Sequence, residues 1–214
     1  MNIKDIIIKD YPVIIFSDSH CNIQNISRLQ ELYPQKTLIS LGDFCFLFAK
    51  EGEPYNNLSI QYFIDNNIPA LEGNHESFLV ASENKDRFVT QRVLGKPPEF
   101  NLSKEHLQFL ENLPRVFKLI LPNGYNYYCS HNLPKDLWSF PDKITPEYFR
   151  SNYIFDEKSL GIIQGHLHLN KIDNLTPKRY VVGQLCKSDH HRDKNKKGGN
   201  YLLLGENGIE YKAL

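Results

Sequence analysis

Val13-Ile14-Ile15-Phe16-Ser17-Asp18-Ser19-His20 decides the reading of this chain. Four apolar residues in a row suit a central strand buried on both faces. The run stops at Ser17, and an acid and an imidazole follow at once. Within Asn22 to Tyr33, Ile23, Ile26, Leu29 and Leu32 fall at helical spacing. Thr37 to Leu41 is a second apolar run and ends at Gly42-Asp43. Leu58 to Ile64 has helical character, and Pro69 to Glu72 reads as a third strand before Gly73-Asn74-His75-Glu76. The first 75 residues thus alternate strand–helix–strand–helix–strand, the pattern of a parallel βαβαβ unit in an α/β fold.

The rest of the chain is richer in hairpins. Glu83 to Phe100 is polar, lacks periodicity and contains Gly95, Pro97 and Pro98, so it reads as a long loop or insertion. Ser103 is placed to cap a helix carrying Leu107, Leu110 and Leu113, which Pro114 stops. Val116 to Leu121 and Tyr125 to Cys129 flank Pro122-Asn123-Gly124, a hairpin signal. Thr145-Pro146 opens a further helix. Gly161 to Gln164 is a strand leading into Gly165-His166-Leu167-His168, and Tyr180 to Leu185 and Tyr201 to Leu204 are later strands. Glu206-Asn207-Gly208 turns the last hairpin. Lys187 to Gly199, rich in Lys, Asp and His, reads as a surface loop. No repeat and no linker divides the chain, so residues 1–214 are expected to form one domain.

Composition bounds the function classes. Lys and Arg number 25 and Asp and Glu 25, a net charge of zero that gives no general reason to bind polyanions or membrane surfaces. No apolar run approaches the roughly 20 residues needed to span a bilayer. Charged residues interrupt the apolar N-terminal stretch, which therefore does not resemble a signal peptide. Cys21, Cys45, Cys129 and Cys186 are far apart and form no CxxC pair, as expected of free thiols in a reducing compartment. A cytoplasmic location is the expectation.

Five of the eight histidines fall in clusters that each follow an apolar run: Asp18-Ser19-His20, Gly42-Asp43, Gly73-Asn74-His75-Glu76, Ser130-His131 and Gly165-His166-Leu167-His168. Strand ends are where loops gather in an α/β fold. Oxygen and nitrogen donors without clustered thiols suit borderline divalent metals such as Mn, Fe, Zn or Ni. The set exceeds what one metal needs and is about right for two ions sharing a carboxylate.

This ordered set resembles the calcineurin-like metallophosphoesterases, whose pattern runs DxH, GDxxD, GNH(D/E), a lone His and GHxH. The likeness spans Asp18 to His168. It implies a four-layer α/β/β/α sandwich, two packed mixed β-sheets flanked by helices. It also implies a phosphoesterase that cleaves a phosphomonoester or phosphodiester by attack of a hydroxide bridging two divalent metals, Mn first among them. Asp18, His20, Asp43 and His168 would then hold one metal. Asp43, Asn74, His131 and His166 would hold the other, with Asp43 as the bridge and a catalytic group. His75 matches the family's non-ligand catalytic histidine, which protonates the leaving oxygen or stabilises charge on it.

Two positions depart from the pattern. The second acid of GDxxD is Phe46 here, and the arginine that follows it in many relatives is absent. That pair orients the histidine and clamps phosphate in those relatives. His75 must therefore be oriented by another group, such as a backbone carbonyl, with Arg87, Arg92 and Lys96 as candidates for the clamp. The other departure is Cys21, where glycine is usual; Asn22 beside it is a candidate substrate contact. Glu76 reads as a supporting or helix N-terminal acid rather than a ligand. His106 reads as part of a solvated helix face, and His190 and His191 as part of the C-terminal loop.

Alternatives to the phosphoesterase are a non-catalytic interaction scaffold on the same fold, for which Phe46 speaks, and a nuclease, for which the basic Lys187 to Lys197 loop speaks. The expected partner is a phosphorylated small molecule or phosphodiester. Oligomeric state is not legible in the sequence.

Overall fold

The structure, a computed structural model, describes residues 3–47, 55–84, 100–132, 155–174, 178–186 and 199–214. Strands β1 (Ile3–Ile7), β2 (Val13–Phe16) and β3 (Leu38–Ser40) are interleaved with helix α1 (Ile23–Leu32). Helices α2 (Tyr55–Asp65), α3 (Asn74–Glu83) and α4 (Lys104–Glu111) follow. Among the described residues seven strands follow: β4 (Val116–Ile120), β5 (Asn126–Ser130), β6 (Ser159–Gln164), β7 (Lys171–Asp173), β8 (Lys178–Val181), β9 (Asn200–Gly205) and β10 (Gly208–Ala213).

These strands build two mixed sheets, one ordered β1-β4-β5-β6-β8-β7 and the other β10-β9-β2-β3. The fold is α/β, as expected. Period-two alternation assigns each face. Val13 and Ile15 point into the core between the sheets with Phe117, Leu119, Tyr127, Cys129, Ile163, Leu202 and Leu204. Ile14 and Phe16 point the other way, onto Ile26, Leu29, Ile60, Phe63, Leu79 and Leu110 of the four helices. The apolar run at 13–16 is continuous because both its faces are covered. The outer face of the larger sheet carries Val116, Tyr128 and Ile162. The helix expected at Thr145-Pro146 lies outside the described residues, as do most of the 83–100 loop and the loop after Lys187.

Most predicted elements are present within a residue or two. Ser103 caps α4 by accepting the His106 N–H, and Asn22 caps α1 by accepting the Asn25 N–H. The expected strand Pro69 to Glu72 shrinks to one bridge between Ala70 and Ser40, because the chain turns at once into Gly73 and α3. β1 was not anticipated. Lys4 and Asp5 break its apolar pattern, yet its backbone pairs in parallel with β4, Ile3 opposite Val116. His106 is not solvated. It is buried between α4 and α2, with Nδ1 2.6 Å from Asn57 Oδ1 and Nε2 3.0 Å from Gln61 Oε1. No described helix is long and apolar enough to cross a membrane.

Candidate metal centre

The polar clusters meet where both sheets end. Asp18 and His20 follow β2 and Asp43 follows β3, in the smaller sheet. His131 follows β5, and His166 and His168 follow β6, in the larger. Asn74 and His75 open α3. Backbone bonds lace these loops together. The Asp18 N–H donates to Gly42 O at 3.1 Å, His20 N–H to Asp43 O at 3.0 Å, and Cys21 N–H to Phe44 O at 2.9 Å. Two carboxylates finish the joinery: Asp18 Oδ2 accepts the His166 N–H at 3.0 Å and Asp43 Oδ1 accepts the His75 N–H at 2.9 Å. Only a glycine can stand at 73, since a Cβ there would lie 2.2 Å from Asp43 Oδ1.

All eight residues singled out in the sequence converge. Asp18 Oδ1 lies 3.0 Å from His168 Nε2 and 4.0 Å from His20 Nε2, and those two nitrogens are 3.3 Å apart. Asp43 Oδ2 lies 3.2 Å from His131 Nε2 and 3.8 Å from His75 Nε2. Asn74 Oδ1 lies 3.0 Å from His131 Nε2 and 2.9 Å from His166 Nδ1. Potential donor atoms fall into the groups Asp18–His20–His168, Asp43–His131–His166 and His20–Asp43–His75, each within 4.8 Å. The first two split as the sequence pattern divides them.

Groups around the cluster fix its orientation. The His131 Nδ1–H donates to Leu41 O at 3.0 Å, which turns Nε2 toward Asp43 and Asn74. The His20 Nδ1–H donates to Cys45 O at 3.3 Å, turning its Nε2 toward Asp18 and His168. Cys45 O also faces His75 Nδ1 at 3.2 Å, and the Leu47 N–H lies 3.2 Å from that same nitrogen. His75 Nδ1 thus faces two backbone groups, the Cys45 carbonyl and the Leu47 N–H, with Phe46 where many relatives have the acid. The Phe46 ring stands beside His20 and His75, centroids 5.7 and 6.0 Å away.

Glu76 is buried and holds two loops together. Its carboxylate accepts the N–H groups of Asp43 at 2.8 Å, Cys45 at 2.8 Å and Gly73 at 2.9 Å. Helix α2 contributes two clamps that sequence reading missed: Asn56 falls before the predicted start at Leu58, and Ser59 lies inside the predicted helix without a distinguishing signal. Ser59 Oγ donates to Phe44 O, and Asn56 bonds both backbone polar groups of Phe46. Nothing local in the sequence marks Asn56. Asn22, considered as a substrate contact, spends its side-chain oxygen on capping α1. His190, His191, Arg87, Arg92 and Lys96 lie outside the described residues.

The donor set fits divalent cations. Two buried carboxylates, an amide oxygen and ring nitrogens converge, and Asp18 Oδ1 is faced by the ring nitrogens of His168 and His20. Protonation follows the same logic. Burial works to raise the Asp18 and Asp43 carboxyls, but neighbouring imidazoles, His168 beside Asp18 and His131 beside Asp43, hold both well below the usual range. Burial opposes charge on His131, yet Asp43 pushes it up to about 9, and Asp18 likewise raises His168. Burial lowers His20 to about 3 and His166 to about 4, leaving neutral rings with open lone pairs. Protons on His131 and His168 thus balance the acids, and a bound cation would replace them. Burial and then the Asp43 charge push Glu76 up to about 8, against the three N–H donors that favour its anion.

Solved structures share this architecture at low identity. A metallophosphoesterase from Sphaerobacter thermophilus superposes with a TM-score of 0.61 at 16% identity, covering 95% of this chain and 87% of the other. A putative diadenosine tetraphosphatase gives 0.59 at 13% identity over 99% and 97%. A protein serine/threonine phosphatase from Saccharomyces cerevisiae gives 0.57 at 14% identity over 99% and 84%. A sequence search of curated proteins finds no match. Residues 11–205 match the family model described as calcineurin-like phosphoesterase, and the chain therefore belongs to that family of phosphate-ester hydrolases.

Proposed function

We propose that this chain hydrolyses a phosphomonoester or phosphodiester with two divalent cations, Mn foremost. Asp18, His20, Asp43 and His168 hold one cation, and Asp43, Asn74, His131 and His166 the other. The observation that carries this reading is the division of the donors into Asp18–His20–His168 and Asp43–His131–His166, with Asn74 Oδ1 set between the last two rings. When bound, the cations supply a hydroxide nucleophile near neutral pH and positive charge opposite the phosphoryl oxygens.

The chain's own part is orientation and proton handling. Asp43, two per cent exposed, spends Oδ1 on the His75 N–H and turns Oδ2 into the cluster, which suits it to face both cations. Leu41 O and Cys45 O fix the rings of His131 and His20 so that Nε2 of each is presented. His75 Nε2 stands 3.8 Å from Asp43 Oδ2, at the edge of the ligand atoms, where, once the ring is protonated on both nitrogens, it can donate a proton to a leaving oxygen or stabilise charge on it.

Metal analysis and turnover of a nitrophenyl phosphate ester with added Mn test the reading. Asp43→Asn is expected to lose both bound metal and rate, and His75→Gln to keep metal and lose turnover. A broad panel should include monoesters, diesters, oligonucleotides and, given the structural neighbour described as a putative diadenosine tetraphosphatase, dinucleoside polyphosphates. Two bound metals without activity on that panel would overturn the proposal and favour a scaffold.

A further inference from the structure

The loop bearing Asp43 is held from α2 by one buried amide whose placement has a geometric consequence. Asn56 is two per cent exposed. Its Oδ1 accepts the Phe46 N–H at 2.8 Å, and its Nδ2 donates to the Phe46 carbonyl at 3.1 Å. The Phe46 N–H and the Cys45 C=O belong to the same planar peptide unit, and in a trans unit they point in opposite directions. Anchoring the N–H on Asn56 therefore aims the carbonyl away from α2. In that direction lie His20 Nδ1 at 3.3 Å and His75 Nδ1 at 3.2 Å.

We infer that Asn56 is a positioning residue for hydrolysis: it sets the 45–46 peptide plane, and the Cys45 carbonyl on that plane sets the His20 and His75 rings. The inference rests on the role proposed above for His75. Phe46 offers no side-chain acceptor to a histidine, so the acceptor facing both rings is this carbonyl. Both polar groups of the Asn56 amide are spent on the backbone of one residue, so its rotation is opposed from two sides. Cys21 Sγ, 3.2 Å from Asn56 Oδ1, gives the amide oxygen a further weak donor.

Ser59 is a built-in control. It also lies on α2, is fully buried, and bonds the same loop, but it holds Phe44 O at 2.9 Å. That carbonyl belongs to the 44–45 plane, which Glu76 also holds through the Cys45 N–H. Loss of Ser59 should loosen the loop without turning the Cys45 carbonyl.

The test compares Asn56→Ala, Asn56→Asp and Ser59→Ala in the full chain. With saturating Mn and a nitrophenyl ester, Asn56→Ala is expected to lower kcat by about 10- to 100-fold, the scale of a displaced catalytic group, with KM within about threefold and weaker metal affinity through His20. Ser59→Ala should lose similar thermal stability but keep kcat within about threefold. Asn56→Asp keeps an acceptor for the Phe46 N–H but sets an oxygen against the Phe46 carbonyl, so it should recover only part of the rate. A second readout needs no turnover. Long-range proton–nitrogen spectra of the metal-free protein should show the His20 and His75 ring nitrogens shifted by Asn56→Ala and unmoved by Ser59→Ala. Equal shifts in both alanine variants, or unchanged spectra in Asn56→Ala, would overturn the inference. So would rate losses that simply track melting temperature. Shifted spectra in a chain with no activity on any ester would instead fail the proposed function and leave the positioning intact.

Discussion

Five candidate ligands occupy backbone conformations that side chains rarely adopt: φ is 55° at Asp18, 42° at His20, 52° at Asp43, 71° at His166 and 55° at His168. Each non-glycine residue there costs roughly 1 kcal/mol or more, and such residues persist only where their surroundings hold them. The ligands are therefore costly to the fold, which gives a test. His168→Asn tolerates this φ but leaves the buried Asp18 carboxylate without its imidazolium; it should lose metal and also lower the metal-free melting temperature. Gly73→Ala has the opposite character. Its Cβ would crowd Asp43 Oδ1 and Glu76 Oε2, so a loss of about 1–3 kcal/mol in denaturant unfolding is expected together with weaker metal uptake. The sequence shows the ligand residues plainly because each stands just past an apolar run. It hides Asn56 because that partner is fixed by where α2 lands, not by any neighbour in the chain. His106 was misread for the same reason: its helix face is covered by Asn57 and Gln61 of another element.

Among elements, those with their own local signals were legible. α4 has a capping serine, apolar spacing and a stopping proline, and it forms at Lys104–Glu111. Ser103→Ala should cost about 1 kcal/mol, read by denaturant melting, and leave metal content unchanged, since the cap is remote from the ligand loops. β2 was legible because burial on both faces removes every polar residue from 13–16. β1 was not, because an edge strand keeps charged residues on its open side, and its partner is over a hundred residues away in sequence. The segment at 69–72 shows a third case. Its composition suits a strand, but the need to bring Gly73 against Asp43 leaves room for one bridge only.

For the whole molecule, the two sheets share one core and both end at the candidate metal centre. A cation held by loops of both sheets, as proposed, would tie them together and bind only the folded chain. Saturation at about 100 times the dissociation constant adds roughly 2.7 kcal/mol, so chelation should lower the melting temperature by about 5–10 °C. A chelator that leaves melting unchanged would mean that the donors do not grip a metal. The choice of a main-chain oxygen as the acceptor facing His75 has a last consequence, and it is genetic. Every amino acid carries that carbonyl, so no codon change at position 45 can delete it. Substitutions at 45 that fit its buried space should be silent for turnover, and the vulnerability passes to the distant amide that aims the plane. In a mutational scan the orienter of this histidine would register at position 56 rather than at the residue that touches the ring.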